Sequence, residues 1–420
     1  MSHSSGARVL VLSMAFAPCR EVGGKRFSYL SPYLQNWAED YVVLARRDRQ
    51  PIEDASAYEG PVERVGMWPP YPPLGRGPLT RRLARIWNRW LCVVDPYCGW
   101  VLPALSRGLR LCRRHRVNLI VVTAPFFSAF VPATILSKIT GARLVLDYRD
   151  PWTNHVRNYP GIFGARLSRY VERQAVGRAS AAVFCTDIMK EQFVAAFGDI
   201  ARERLEVIYN GFEPAPAKLG DSATGGKPVE MVYAGNFYGA RRFSVLAPVL
   251  AEMLRDGELS PDDFRFHVYS RLTDKDRAMI HDLGLERIVE VHDLVPYQQM
   301  RDILRRSDIL FLLSGDDVHY AVPFKFFDYL WAGRPMLVVA PRASMVARLM
   351  DEVDCGELAD FDNPQEIRQA LSRLIASREG YSFDGAERFY WSAAAKQYIG
   401  LLDAVLETPP SRSVPARKGE

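Results

Sequence analysis

The chain is poor in cysteine and lacks the short motifs that mark several common chemistries. Its 420 residues hold six cysteines (Cys19, Cys92, Cys98, Cys112, Cys185 and Cys355) with no C-x-x-C spacing among them. That spread excludes a disulfide framework or a cysteine zinc site and suits a reducing compartment. No G-x-G-x-x-G follows a strand-like run and no G-x-x-x-x-G-K-[ST] occurs, so neither of the two familiar glycine-rich nucleotide cradles is present. No metal-ligand cluster or D-x-D after a strand stands out, so no divalent cation is expected in the site, and no resident cofactor. The formal net charge of +5 is too small for a dedicated nucleic-acid binder, though it permits attraction to phosphate or anionic lipid. No repeat of fixed period is visible. No apolar signal region precedes the first strand-like run, and a cytoplasmic location is expected, with the inner face of the membrane as a possible docking place.

One uncharged run, the nineteen residues from Leu119 to Ser137, is nominally long enough to span a bilayer. Pro125 and Pro132 break it, so it reads as a buried strand, Leu119–Thr123, followed by a buried helix.

With 48% hydrophobic and 25% charged residues, the chain can form two cores. Apolar, β-rich runs alternate with longer helical stretches, the pattern of parallel sheets with crossover helices. Val9–Ser13, Tyr41–Leu44, Leu119–Thr123, Leu144–Asp147, Ala181–Cys185 and Leu205–Tyr209 form one group of strands. Val229–Gly235, Phe264–Tyr269, Ile288–Val291, Ile309–Leu313 and Met336–Val339 form another. The expected fold class is α/β, with two Rossmann-like doubly wound domains facing across a cleft. The first covers 1–212 and includes a basic and aromatic insertion at 68–116. A Pro/Gly/Ser-rich linker at 213–228 leads to the second domain, 229–380. A helix at 381–407 crosses back to the first domain, and a disordered tail occupies 408–420.

Ligands of such sheets bind beyond the carboxyl ends of the strands. In the first such loop, Gly23 and Gly24 open a helix where backbone amides can approach a phosphate or sugar, and Lys25 and Arg26 add charge. Asp147 and Asp150 follow another strand, placed to orient or deprotonate a hydroxyl. Arg149 lies between them, and a structural Asp–Arg pair anchored by Trp152 is the plainer reading. The most informative stretch is Val322-Pro-Phe-Lys-Phe-Phe-Asp-Tyr-Leu-Trp-Ala-Gly-Arg-Pro. Pro323 suits a first helical turn, and Lys325 and Asp328, three apart, share one helix face beside the positive helix end.

That stretch resembles the P-x-K-x-x-E-Y-x-x-x-G-x-P segment of the family 4 glycosyltransferases, which have the GT-B fold. Asp147-Tyr-Arg-Asp-Pro-Trp152, Val207-Ile-Tyr-Asn-Gly211 and Tyr233-Ala-Gly-Asn-Phe-Tyr-Gly239 agree with the same family in the same order. The resemblance implies a nucleotide-diphospho-sugar donor held by the C-terminal half, with Asp328 on the ribose hydroxyls. Gly235, Asn236 and Tyr238 would line the opening loop of that half. Arg241 or Arg242, with Lys325, would neutralise the departing diphosphate without a metal. Asp150 would contact donor or acceptor sugar. The reaction would retain the anomeric configuration, through front-face attack in which the diphosphate takes the acceptor's proton.

Two positions depart from the family pattern. The first of its paired acids falls on Tyr320, eight residues before Asp328, with Asp316 and Asp317 out of register, and the second acid is Asp instead of Glu. An inactive sugar-nucleotide-binding or scaffolding relative, or an isomerase or phosphorylase on the same scaffold, therefore stays open. On the acceptor side, Arg82, Arg85, Trp87 and Trp90 in the insertion alternate charge with aromatic surface. That composition suits either contact with a membrane and a lipid-linked saccharide or an amphipathic helix packed on its own domain.

Overall fold

The computed structural model describes residues 6–19, 22–47, 58–68, 77, 82, 94–152, 164–198, 204–214, 228–237, 239, 241–378 and 380–408. The chain divides into two compact units: Met1–Tyr209 with Trp391–Glu420, and Asn210–Tyr390.

The first unit is built on seven parallel strands: β1 (Arg8–Ser13), β2 (Asp40–Arg46), β3 (Val62–Val65), β4 (Leu119–Thr123), β5 (Arg143–Tyr148), β6 (Ala181–Phe184) and β7 (Leu205–Val207). Their order is β3-β2-β1-β4-β5-β6-β7. The central strands are buried along nearly their whole length, as continuous Val/Leu/Ile runs require when helices cover both faces of a parallel sheet. The uncharged run from Leu119 splits into β4 and the helix Phe130–Thr140. Among the described residues no helix is long and apolar enough to cross a membrane.

The helix Trp391–Glu407 completes this first unit. Trp391 stacks on Tyr29 of the helix Lys25–Trp37 at 5.4 Å, and Tyr398 meets Phe27 edge-on at 5.8 Å. Trp37 donates to Asp403 at 3.2 Å, and Arg143 donates to the carbonyl of Val405.

The second unit carries six parallel strands, β8 (Val229–Ala234), β9 (Phe264–Tyr269), β10 (Val289–His292), β11 (Ile309–Leu313), β12 (Met336–Ala340) and β13 (Gly356–Asp360), in the order β10-β9-β8-β11-β12-β13. Its core joins Met231, Tyr233, Phe266, Phe311, Leu337 and Leu371. Phe212 pairs in a single bridge with Tyr390, where the unit begins and ends. Both units are thus parallel α/β sheets of Rossmann type. Strands β3 and β13 are additions to the set read from sequence; both are short or polar edge strands whose residues, Ala359 of β13 apart, are only partly buried.

Candidate functional site

The loop after β11 leads into the helix Phe324–Ala332. Pro323 takes the position just before the first helical residue, not the first turn itself, with φ −64°, and its carbonyl accepts from the Phe326 amide at 2.9 Å. Gly333, in the left-handed region at φ +65°, ends the helix, so both boundaries are written by residues suited to them. Phe326, Phe327, Tyr329, Leu330 and Trp331 are buried. Lys325 and Asp328 are left on the partly exposed side, one turn from the helix's positive end.

Lys325 sits in confined surroundings. Its Nζ lies 4.2 Å from the centre of the Tyr233 ring, which stacks on Phe237 at 4.3 Å. The side chain passes over Gly235: a Cβ there would lie 2.3 Å from Nζ and 2.6 Å from Cε. Gly235 also has φ +126°, a conformation L side chains rarely adopt. Burial, then the nearby charge of Arg241, lower the Lys325 pKa to about 7 against the opposing pull of Asp328. Two cations brought together in a poorly hydrated place favour an anion between them. Asp328 accepts from the hydroxyl of Tyr297 at 2.6 Å, so one carboxylate oxygen is already oriented.

The two candidate arginines separate. Arg241 is partly buried and lowers the Lys325 pKa, whereas Arg242 is exposed and donates to the Gly239 carbonyl at 3.3 Å. Asn236 is exposed, its Oδ1 3.5 Å from the Arg271 amide. Tyr238 lies outside the described residues. Tyr320, at the position of the missing acid, is 6% exposed, while Asp316 and Asp317 occupy the short turn Asp316–Val318 after β11.

In the first unit the candidates take different roles from one another. Asp147 is fully buried, 3.0 Å from Nε of the equally buried Arg26, and accepts from Thr123 at 2.8 Å and Tyr398 at 3.2 Å. Arg26 also donates to the carbonyls of Ile208 (2.9 Å) and Tyr209 (3.1 Å). Burial opposes the charge on Arg26, but Asp147 beside it prevails and holds the guanidinium above its usual range. The catalytic reading of Asp147 and the phosphate reading of Arg26 are therefore corrected: both side chains are committed to a buried network and neither reaches solvent. Trp152, 1% exposed and stacked on Phe127 at 4.8 Å, is a packing anchor.

Asp150 differs, being partly exposed. Burial raises its pKa above the ordinary carboxylate range, although Arg149 pulls the other way, which suits a group that exchanges a proton. Gly23 and Gly24 form a short turn leading into the helix Lys25–Trp37. Arg149 donates to the Gly23 carbonyl, and a Cβ on Gly24 would lie 2.4 Å from Cys19 Sγ. Close packing against Cys19 and against the Phe16 amide, 3.3 Å from that Cβ position, favours glycine at position 24.

Of the insertion residues, Arg82 is exposed, and Arg85, Trp87 and Trp90 lie outside the described residues. The later part of the insertion packs as an ordinary amphipathic helix: Val101–Arg114 buries Ala104, Gly108, Leu111 and Cys112, and Arg107 pairs with Glu63 at 2.7 Å. Trp68 and Leu102 remain 67% and 58% exposed. Sequence reasoning missed Tyr297, the partner of Asp328, and Tyr233 as the ring beneath Lys325. Tyr297 lies 31 residues from its partner, with no spacing signal to join them; Tyr233 was visible as the first residue of the loop motif.

Residues 24–215 match the model of Glycosyltransferase Family 4. Among curated proteins none matches the chain by sequence. Solved structures match nearly its whole length. The lipopolysaccharide outer core galactosyltransferase WaaB is 16% identical with a TM-score of 0.60, covering 94% of this chain and 99% of its own. Anabaena HepE in complex with UDP and glucose is 18% identical with a TM-score of 0.58, covering 95% and 100%. Sucrose-phosphate synthase from Thermosynechococcus elongatus is 12% identical with a TM-score of 0.66, covering 95% and 99%. The chain thus has the GT-B fold of two Rossmann-like domains and resembles the family 4 glycosyltransferases, a match that supports sugar transfer.

Proposed function

We propose that this protein transfers a sugar from a nucleoside-diphosphate sugar to a hydroxyl of a saccharide or lipid-linked acceptor, retaining the anomeric configuration. The observation that carries the reading is the Lys325–Arg241 pair at the start of the helix Phe324–Ala332, beside Asp328 oriented by Tyr297. A diphosphate would answer both cations, and charge developing on it as the glycosidic bond breaks would be stabilised without a metal. Asp328 would take the ribose hydroxyls. Asp150 is assigned to a sugar hydroxyl because it is the accessible carboxylate of its loop. Since HepE is known in complex with UDP-glucose, a uridine donor is the first to try.

The experiment is release of nucleoside diphosphate from UDP-, GDP- and ADP-sugars, with binding of the free nucleotides measured by calorimetry in the wild type and in Lys325→Ala and Asp328→Ala. One nucleotide bound and lost in both variants, with turnover of its sugar, supports the proposal. Binding without turnover on any acceptor favours the inactive relative to which the buried Tyr320 points, and no nucleotide binding sinks the reading. The exposed Trp68 and Leu102, flanking a basic and aromatic stretch, support peripheral contact with anionic lipid. Flotation with phosphatidylglycerol vesicles, weakened by Trp68→Ser and by salt, is the expected result.

A further inference from the structure

The edge of the second sheet carries a histidine–carboxylate cluster made of side chains that the donor reading does not use, although His292 lies only five residues before Tyr297. Parallel register places Glu290 opposite His267 and His292 opposite Tyr269 across β9 and β10. Phe264, Phe266, Val268 and Val289 face the core, so strand alternation puts Arg265, His267, Tyr269, Glu290 and His292 on the other face. His267 Nδ1 lies 3.0 Å from His292 Nε2 and 3.5 Å from Glu290 Oε2, and His292 Nε2 is 4.0 Å from the same oxygen.

A tetrahedral ion with metal–ligand bonds of about 2.0–2.1 Å needs its ligand atoms roughly 3.3–3.4 Å apart, a spacing that these three edges bracket. An imidazole–imidazole hydrogen bond accounts for the shortest edge and ion pairing with Arg265 and His267 brings the carboxylate close, and together they leave three ligand atoms converging on one point. The surroundings also orient the three groups. Arg265 Nε stands 3.5 Å from the other oxygen of Glu290, and Arg265 is itself held by a 3.0 Å bond to the Arg287 carbonyl. The Tyr269 ring stacks on His292 at 4.5 Å and 17°, which fixes the imidazole plane. Glu290, with 48% of its side chain exposed, leaves the cluster open to water.

We propose that His267, Glu290 and His292 bind one divalent transition-metal ion of the zinc class on the outer face of the β9–β10 edge, with solvent completing its coordination. Two imidazole nitrogens and one carboxylate oxygen select Zn2+ or Co2+ over Mg2+, which demands oxygen ligands. The proposal is independent of sugar transfer. Its test uses the full chain without an affinity tag, stripped by chelator and titrated with ZnCl2 by calorimetry and with Co2+ by visible absorption. One ion per chain is expected, with cobalt bands of a four-coordinate site and no displacement by equimolar Mg2+. His267→Ala and His292→Ala should each weaken Zn2+ binding at least tenfold, and Arg265→Ala by about tenfold through the orientation of Glu290. Circular dichroism of the variants should match the wild type. Absence of Zn2+ binding, or binding unchanged in the His267→Ala/His292→Ala double variant, overturns the proposal.

Discussion

Two aspartates three residues apart, Asp147 and Asp150, show how burial divides roles between chemically identical groups. Asp147 compensates a fully buried guanidinium, and breaking a buried pair by removing one partner costs about 3–5 kcal/mol. Asp147→Ala should therefore destabilise the first unit by that order in urea unfolding. Asp150→Asn should leave the midpoint nearly unmoved and lower turnover at least about tenfold, as loss of a hydrogen bond from a sugar hydroxyl to a charged acceptor does. Equal loss of stability in both variants would refute the division.

Lys325 supports a pH prediction. Its pKa is about 7 in the folded chain against an ordinary 10.5. Between those values the unfolded chain holds a proton that the folded chain does not. The Lys325 contribution to stability thus rises with pH across that window and is lost as pH falls toward 7. A diphosphate anion would restore the charged form. Nucleoside diphosphate binding at pH 8–9 should accordingly take up close to one proton, measured as the dependence of binding enthalpy on buffer ionisation enthalpy. Lys325→Arg, permanently charged, should show no uptake. Gly235→Ala should weaken the same binding at least tenfold, because its methyl group would collide with the ammonium and because φ +126° strains any side chain.

At the scale of elements, the helix Phe324–Ala332 was legible because its signals are local: a proline before it, a left-handed glycine after it, and apolar residues on one side. The central strands were legible for the same reason, as short β-branched runs bounded by breakers. The edge strands β3 and β13 escaped because strands that are mostly only partly buried carry charge and lose the apolar signature. Site chemistry was less readable than the fold. Asp147 and Asp150 look alike in sequence, and the partners that bury Asp147, Arg26 and Tyr398, lie 121 and 251 residues away. The histidine cluster was invisible for the same reason, since its ligands come from two strands and only their register unites them. Tyr297 makes the corresponding prediction for an element pair. Removing its hydroxyl in Tyr297→Phe should lower nucleotide affinity about tenfold, the order expected for a bond to a charged group, with the thermal midpoint preserved.

At the scale of the molecule, the first unit is discontinuous in sequence and the second is continuous. A chain ending at residue 390 would lack Trp391, which stacks on Tyr29, and Tyr398, which bonds Asp147. It should retain a cooperatively folded second unit while the first exposes apolar surface to a hydrophobic dye. A fragment of residues 210–390 should fold alone, as judged by circular dichroism and a single unfolding transition. A truncated chain whose first unit melts like the intact one would disprove this dependence.

The order of synthesis then acquires a meaning. Domains generally fold as they leave the ribosome, from the N-terminus onward, at about 5–20 residues per second. Here the N-terminal sheet emerges first, yet its last helix is translated only after the entire second unit, a delay on the order of ten seconds or more at that rate. During that interval Asp147 and Arg26 have each other but not Tyr398, and the surface on Phe27 and Tyr29 that the helix later covers stands open. The nascent first unit therefore keeps this apolar surface exposed until the last helix is made, and slowing translation between residues 210 and 390 should lengthen that exposure.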